Sequence, residues 1–355
     1  MVLETLHLNF LSLFLLISFF INLFVQKITK KKNYPILLDK DFQKPQAFHK
    51  EAIPRCGGVA AMISLIIFFI IYYYIFKVIL LDYILLGIGL FTLGFLDDIK
   101  FEMNPNIRLI LMIIFLSFGI NFLSINIESV DLIFLEKWLI NNIFNVVFIL
   151  LCFLFIINGA NLIDGFNGLL GIHLLIINFI LLILNFESGL TELILPIIAL
   201  IIVLMIFLIF NFPKAKIFCG DGGAYLFGTL TAINIIKTNN LNPEITSFFF
   251  CGLLFYLFFE VFFSFFRKLC MKKSPLKPDN RHLHMLIYKY LENAKFFKEN
   301  NFITSLIINS FYLALLIPTI IFKNHGFISR YWFFLTLIIY MLFYWKFNNM
   351  TKIKK

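Results

Sequence analysis

Residues 139–168 read LINNIFNVVFILLCFLFIINGANLIDGFNG, and the change of character at Asn158 decides how the rest of the chain is read. The 19 residues before it hold no Lys, Arg, Asp or Glu. A helix needs about 20 apolar residues to cross the hydrocarbon of a bilayer. The 11 residues from Asn158 hold three Asn, one Asp and three Gly. A membrane helix therefore runs into a polar loop, and the same alternation recurs in both directions. It predicts eleven spans, at about 7–25, 57–76, 78–96, 107–126, 139–157, 168–186, 190–210, 223–237, 246–266, 302–322 and 331–347. Apolar residues make up 61% of the 355 and charged residues 14%. Soluble domains are nearer half and a quarter, so water-soluble and disordered classes are excluded. The expected fold is all-α, a polytopic membrane bundle forming one domain over 1–355. No repeat or linker marks off a second.

Charge sets the expected orientation. With the N-terminus outside and the C-terminus cytoplasmic, all but five of the 30 Lys and Arg fall on inner connections or at the inner ends of spans, the five being Lys77, Lys137, Lys237, Lys323 and Arg330. That is the positive-inside bias. The net charge of +10 is then explained by anionic lipid heads and calls for no nucleic acid. The first span lacks a basic leader and a small-residue cleavage site, and Lys27, Lys30, Lys31 and Lys32 follow it, so it reads as a retained anchor. The five Cys include no C-x-x-C pair and are expected as free thiols with no cysteine metal site. A lipid-facing surface and a homodimer face look alike in so apolar a chain, so a homodimer stays open.

Nearly every polar cluster sits in five inner loops, 26–56, 97–106, 158–167, 211–222 and 267–301. The third span ends in Asp97-Asp98. Adjacent carboxylates at a membrane helix end repel, and a divalent cation would relieve them. Magnesium commonly joins one or two carboxylates to substrate phosphates. A solvated helix end would serve equally well. Asn158, Asn161 and Asp164 stand three apart and share a face if the helix continues, where amides and a carboxylate suit a sugar or phosphate. Gly220-Asp221-Gly222-Gly223 precedes a helix. It fits a phosphate or metal loop, or simply an N-cap at Asp221. Phe218 offers a flat face to a base. In the last large loop, His282 and His284 share a face only on an extended segment. With Arg281 they form either a weak metal pair or donors to a diphosphate. Residues 286–300 have the period of an interfacial tethering helix. Glu260 is an acid well inside a late span, a functional candidate or a partner for a neighbouring helix. His173 and Asn178 read as helix–helix hydrogen-bonding groups, and Asp82 as interfacial.

A transporter usually keeps its acids near the bilayer midplane, and only Glu260 comes near that depth. A non-catalytic scaffold gives no reason for four polar loops on one face. Clustering where helices leave the membrane suits a water-soluble nucleotide meeting a lipid phosphate.

Over residues 35–290 the chain resembles the polyprenyl-phosphate N-acetylhexosamine-1-phosphate transferases. This superfamily includes the phospho-MurNAc-pentapeptide translocase and the lipid GlcNAc-1-phosphate transferase. Asp97-Asp98 is similar to its paired-aspartate motif, and Asn161, Asp164 and Gly165 to its Asn-x-x-Asp-Gly. Phe218, Gly220 and Asp221, with Asn211 ahead of them, resemble its aromatic-x-Gly-Asp motif. Asp279, Arg281, His282 and His284 resemble its His-rich loop; Asp41, His49, Pro54, Arg55, Gly57 and Gly58 resemble the loop after its first helix. Asn167 stands where the family often has Asp, Met285 where it often has a third His, and Ala47-Phe48 where a basic pair is usual. The Pro-Asp-x-Arg-His-x-His form is closer to the GlcNAc-type branch.

The resemblance implies a multi-pass enzyme of the bacterial cytoplasmic membrane, with its active site facing the cytoplasm. It would transfer HexNAc-1-phosphate from a UDP-N-acetylhexosamine to polyprenyl (undecaprenyl) phosphate and release UMP. It implies Mg²⁺ or Mn²⁺ held by Asp221 and Asp98, with Asp97, Asp98 and Asp164 catalytic. Asn161 would position the sugar or diphosphate, and Asn211 and Phe218 would take the uracil. Arg281, His282, His284 and His49 would complete substrate binding.

Overall fold

The computed structural model describes residues 2–30, 37–39, 52–101, 103–189, 191–275, 279–295, 297 and 299–353. The chain begins with α1 (Val2–Lys30), then a two-residue antiparallel pair, β1 (Leu38–Asp39) and β2 (Ile53–Pro54), in which Leu38 faces Pro54. There follow α2 (Gly57–Phe76), α3 (Leu81–Asp98), α4 (Pro105–Phe122), the short α5 (Ile133–Leu139), α6 (Asn142–Ile163), α7 (Leu169–Glu187), α8 (Thr191–Asn211) and α9 (Gly220–Leu241). The last third holds α10 (Ser247–Leu253), α11 (Phe255–Cys270), α12 (Leu283–Ala294), α13 (Asn300–Ile321) and α14 (Gly326–Ile353).

Each of the eleven expected spans finds a helix at its position. The 246–266 span is two helices, α10 and α11, bent by 72°. Among the described residues eight helices are long and apolar enough to cross a membrane, or nine with the bent pair taken as one. The protein is a polytopic helical membrane protein. α3 and α9 fall outside that group through chemistry rather than length. α3 carries Asp82, Asp97 and Asp98, and α9 carries Asp221, Thr231, Asn234, Lys237 and Thr238. The interfacial helix expected at 286–300 starts three residues earlier and ends at Ala294.

Despite its polarity α9 is the most enclosed helix, packed against α2, α3, α6, α7 and α8. Its polar groups are matched across helices. Asn178 of α7 donates to Thr231 (2.9 Å), Asn234 donates to Asn178 (2.9 Å), and the Tyr83 hydroxyl of α3 donates to Asn234 (2.8 Å). Asn185 donates to Thr238 at 2.8 Å. Each such bond contributes about 0.6 kcal/mol between membrane helices, and leaving the group unpaired in hydrocarbon costs more. His173 has the structural place its sequence context suggested, with Nδ1 3.2 Å from Asn309 Oδ1. At one end of the bundle Asp82 pairs with Lys237 at 2.6 Å. The far ends of the same two helices, α3 and α9, meet at the opposite pole. There Gly94 of α3 lets the backbones touch: a Cβ on it would lie 2.6 Å from the Asp221 carbonyl carbon.

Candidate active site

That contact brings three of the expected carboxylates together. Asp98, buried at the end of α3, accepts the backbone N–H of Asp221 on Oδ1 and of Gly222 on Oδ2, both at 2.9 Å. A carboxylate thus fills the anion position at the N-terminus of α9. Gly220 makes the approach feasible: its φ is +78°, and a Cβ there would lie 2.6 Å from Asp98 Oδ2. Burial pushes the Asp98 carboxyl above the usual range and Asp221 adds to it, while the two N–H groups and Arg55 oppose. Asp97, half-buried, turns the other way. Its Oδ2 and Oδ2 of Asp221, the latter at 3.1 Å, both meet Nη1 of Arg108 in the first turn of α4. Asn104 caps that turn by accepting the Asn106 N–H at 3.0 Å, with Pro105 as the first helical residue. The Arg108 guanidinium carbon also lies 5.8 Å from the Tyr225 ring centre.

A second cation closes the cluster from the loop before α2. Arg55 binds Asp39 of β1 through Nη2 (2.7 Å) and Nε (3.0 Å), and its Nη1 stands 3.8 Å from Asp98 Oδ1. The loop is tied to the Gly-Asp segment by backbone bonds: Phe218 N–H to Pro54, Gly57 N–H to Phe218 and Gly58 N–H to Cys219, at 2.8–2.9 Å. Asp164, directly after α6, belongs to the same field. Burial pushes its carboxyl well above the usual carboxylate range and Asp221 adds to the rise; Arg55 and the Gly220 N–H act against it.

The remaining expected residues have varied surroundings. α6 does continue to Ile163, so Asn158 and Asn161 are helical, and Asp164 is the residue at which the helix ends. Asn158 donates back to Leu154 of its own helix at 2.8 Å. Asn211, buried, accepts the Gly168 N–H (2.6 Å) and donates to the Ile217 carbonyl (2.9 Å), stapling two loops together. Asn167 donates to the Pro213 carbonyl at 2.9 Å, a bond that an ionised carboxylate could not make. Phe218 is half-buried beside these loops. His49 and Asp41 lie outside the described residues.

His282 and His284 stack with ring centres 5.5 Å apart and 5° between planes. His282 is the extended residue before α12 and His284 is already helical. His282 Nδ1 lies 3.0 Å from Glu260 Oε2, and Nε2 lies 3.5 Å from Asp279 Oδ1. His284 Nδ1 lies 3.4 Å from the Tyr256 hydroxyl, and burial lowers its pKa to about 4. Phe166, two residues after Asp164, meets the His284 ring edge-on at 5.6 Å. Arg281 is exposed, with its backbone N–H on Asp279 at 3.0 Å.

Sequence reasoning did not single out Arg108. The available signal was a lone cation in the first turn of an apolar span, 11 residues after Asp97. The donor set around it suits magnesium: two carboxylate oxygens from separate helices already converge on one cationic point. Among the described residues no group of three or more His, Cys, Asp and Glu forms a metal cage, so further ligands would come from substrate and water.

The sequence model of glycosyl transferase family 4 matches residues 80–239. The undecaprenyl-phosphate alpha-N-acetylglucosaminyl 1-phosphate transferase of Thermotoga maritima is 28% identical over 271 residues, 76% of this chain and 78% of the relative. The Escherichia coli K12 protein of the same name is 28% identical over 302 residues, 80% and 77% of the two chains. The phospho-N-acetylmuramoyl-pentapeptide-transferase of Dictyoglomus turgidum is 34% identical over 231 residues, 62% and 73%.

Proposed function

The chain belongs to glycosyl transferase family 4, and from that premise we propose that it transfers N-acetylhexosamine-1-phosphate from a UDP-sugar to polyprenyl phosphate. An oxygen of the lipid phosphate attacks the β-phosphorus of the nucleotide sugar. The bond from that phosphorus to the bridging oxygen breaks, and UMP leaves with the oxygen. Both reactants are anions, so charge neutralisation dominates the barrier. The observation that carries the reading is the meeting of Asp97, Asp221 and Arg108, with Asp98, Asp164 and Arg55 around them, in a bilayer-spanning bundle.

Asp97 and Asp221 would hold Mg²⁺ or Mn²⁺, which when bound supplies positive charge to the phosphates. Arg108, on the Oδ2 atoms of both carboxylates, is the fixed cation that would meet the lipid phosphate. Asp98 fixes the height of α9 and hence of Asp221. Asp164, with its raised proton affinity, is suited to hold a proton beside the attacking phosphate. Asn161 faces the sugar and Phe218 the uracil. Arg281 serves the diphosphate. The Pro-Asp-x-Arg-His-x-His segment and the relatives named for GlcNAc-1-phosphate transfer favour a donor without a peptide. The basic bias of the loops supports a site open to the cytoplasm of a bacterial cell.

Membranes containing the protein, UDP-[¹⁴C]GlcNAc, undecaprenyl phosphate and Mg²⁺ should yield a butanol-soluble labelled lipid and UMP, with no product in EDTA. Asp221→Asn should abolish the product and His173→Ala should keep most of it. Absence of product from UDP-GlcNAc, UDP-GalNAc and UDP-MurNAc-pentapeptide alike, with folded protein, would overturn the proposal. Product from the last donor alone would assign the pentapeptide branch.

A further inference from the structure

Glu260 is buried in α11 and takes no part in the carboxylate cluster, yet both its oxygens are engaged by one segment. Oε2 meets His282 Nδ1 at 3.0 Å, and Oε1 accepts the Leu283 N–H, the first of α12, at 3.1 Å. His284 Nδ1 stands 3.9 Å from the same Oε1. The far nitrogen of His282 faces Asp279, and Asp279 is in turn 3.1 Å from Arg267 Nη2, back on α11. Both ring nitrogens of His282 therefore face carboxylates of the protein. A donor diphosphate would have to displace one of them to reach this ring. The exposed cation of the segment is its neighbour Arg281, whose backbone N–H is fastened to Asp279. From His284 the contact continues through Phe166 to the loop that carries Asp164.

We propose that Glu260 is a positioning residue of the transfer reaction. Through His282 and the first turn of α12 it clamps the 279–284 segment to α11, so that Arg281 and the Asp164 loop stand at fixed places for the nucleotide sugar. His282 is a strut of this clamp and does not bind the diphosphate. The inference rests on the function proposed above for its substrate, but the clamp itself is a matter of local structure.

The clamp is read in two ways. In the transfer assay, Glu260→Ala and Glu260→Gln should each raise KM for UDP-GlcNAc at least fivefold and change kcat by less than threefold. KM for undecaprenyl phosphate should stay within twofold. Glu260→Ala/His282→Ala should match the worse single variant within twofold, because both act through one contact. Independently of any donor, trypsin should cut purified Glu260→Ala after Lys272, Lys273 or Arg281 at least tenfold faster than wild type, since the segment opens locally. His173→Ala, an equally buried loss elsewhere, should not speed these cuts. Glu260→Gln preserves side-chain volume and keeps an acceptor for the Leu283 N–H, so it serves if the alanine variant fails to fold. Wild-type turnover alone bears on the function. An unchanged tryptic rate, or an unchanged KM in an active enzyme, would overturn the clamp. A lower yield of folded protein with normal KM and normal cutting would make Glu260 a packing residue only.

Discussion

Replacing Gly94 by Ala tests whether the α3–α9 contact sets the site. A Cβ at residue 94 would lie 2.6 Å from the carbonyl carbon and oxygen of Asp221 and 2.7 Å from Gly222 N. Carbon needs about 3.4 Å from such atoms, so the helices must part by about 0.8 Å, because backbone cannot rotate away as a side chain does. The two bonds from Asp98 to the Asp221 and Gly222 N–H groups start at 2.9 Å. Lengthened by that amount they reach about 3.7 Å and are lost as hydrogen bonds. Asp221 moves with them relative to Asp97 and Arg108. A displacement near 1 Å in a reacting constellation costs on the order of 100-fold in rate, and the overpacking itself about 1–3 kcal/mol. Helix propensity acts the other way, since Ala is favoured over Gly by about 1 kcal/mol. Gly87→Ala, on the same helix, is the matched control, because its Cβ would meet only Leu side chains at 3.4 and 3.5 Å. Both variants would be compared in the butanol-extraction assay at equal folded protein, measured by fluorescence-detected size exclusion. Transfer by Gly94→Ala within twofold of Gly87→Ala would refute the reasoning.

Arg108→Ala should lower kcat about 100-fold, the usual scale for removing one charge-stabilising donor, and Arg108→Lys should recover part of it; activity within threefold of wild type would remove Arg108 from the site. Stability should fall with acidity through His284. Burial holds its folded pKa near 4, below the unfolded 6.5, so the unfolded state binds the proton first and the contribution present at pH 7.5 is lost as pH falls. The loss by pH 4.5 is on the order of 2–3 kcal/mol, read as the drop in unfolding free energy in detergent, and His284→Asn should remove most of it.

Much of this site was legible because it obeys local rules. Asp97-Asp98 and Gly220-Asp221 announce themselves as polar breaks in an apolar chain, and both prove to sit on the same cluster. The spacing of three allowed for a helix running past Asn158, and α6 does run on to Ile163, ending at Asp164. What local reading could not supply was the partner of each group. Nothing in the neighbourhood of Asp98 says that it caps α9, 123 residues onward. Nothing near Arg108 says that two carboxylates from other helices meet it. The histidines are hard to read locally for the same reason: their spacing leaves a metal pair and diphosphate donors both open, and only the folded chain shows Glu260 and Asp279 against His282. The bend between α10 and α11 was invisible to apolarity, which is uniform across it.

The buried ladder of Asn178, Thr231, Asn234 and Tyr83 has a consequence for biogenesis. A segment as polar as α9 gains little by partitioning into lipid alone, because its amides and hydroxyls would enter hydrocarbon unsatisfied. Its stable insertion depends on α3, already synthesised and carrying Tyr83, and on α7, carrying Asn178. Lesions in this ladder should therefore appear as failed insertion and clearance by membrane proteases, leaving few copies that transfer sugar at a normal rate per molecule.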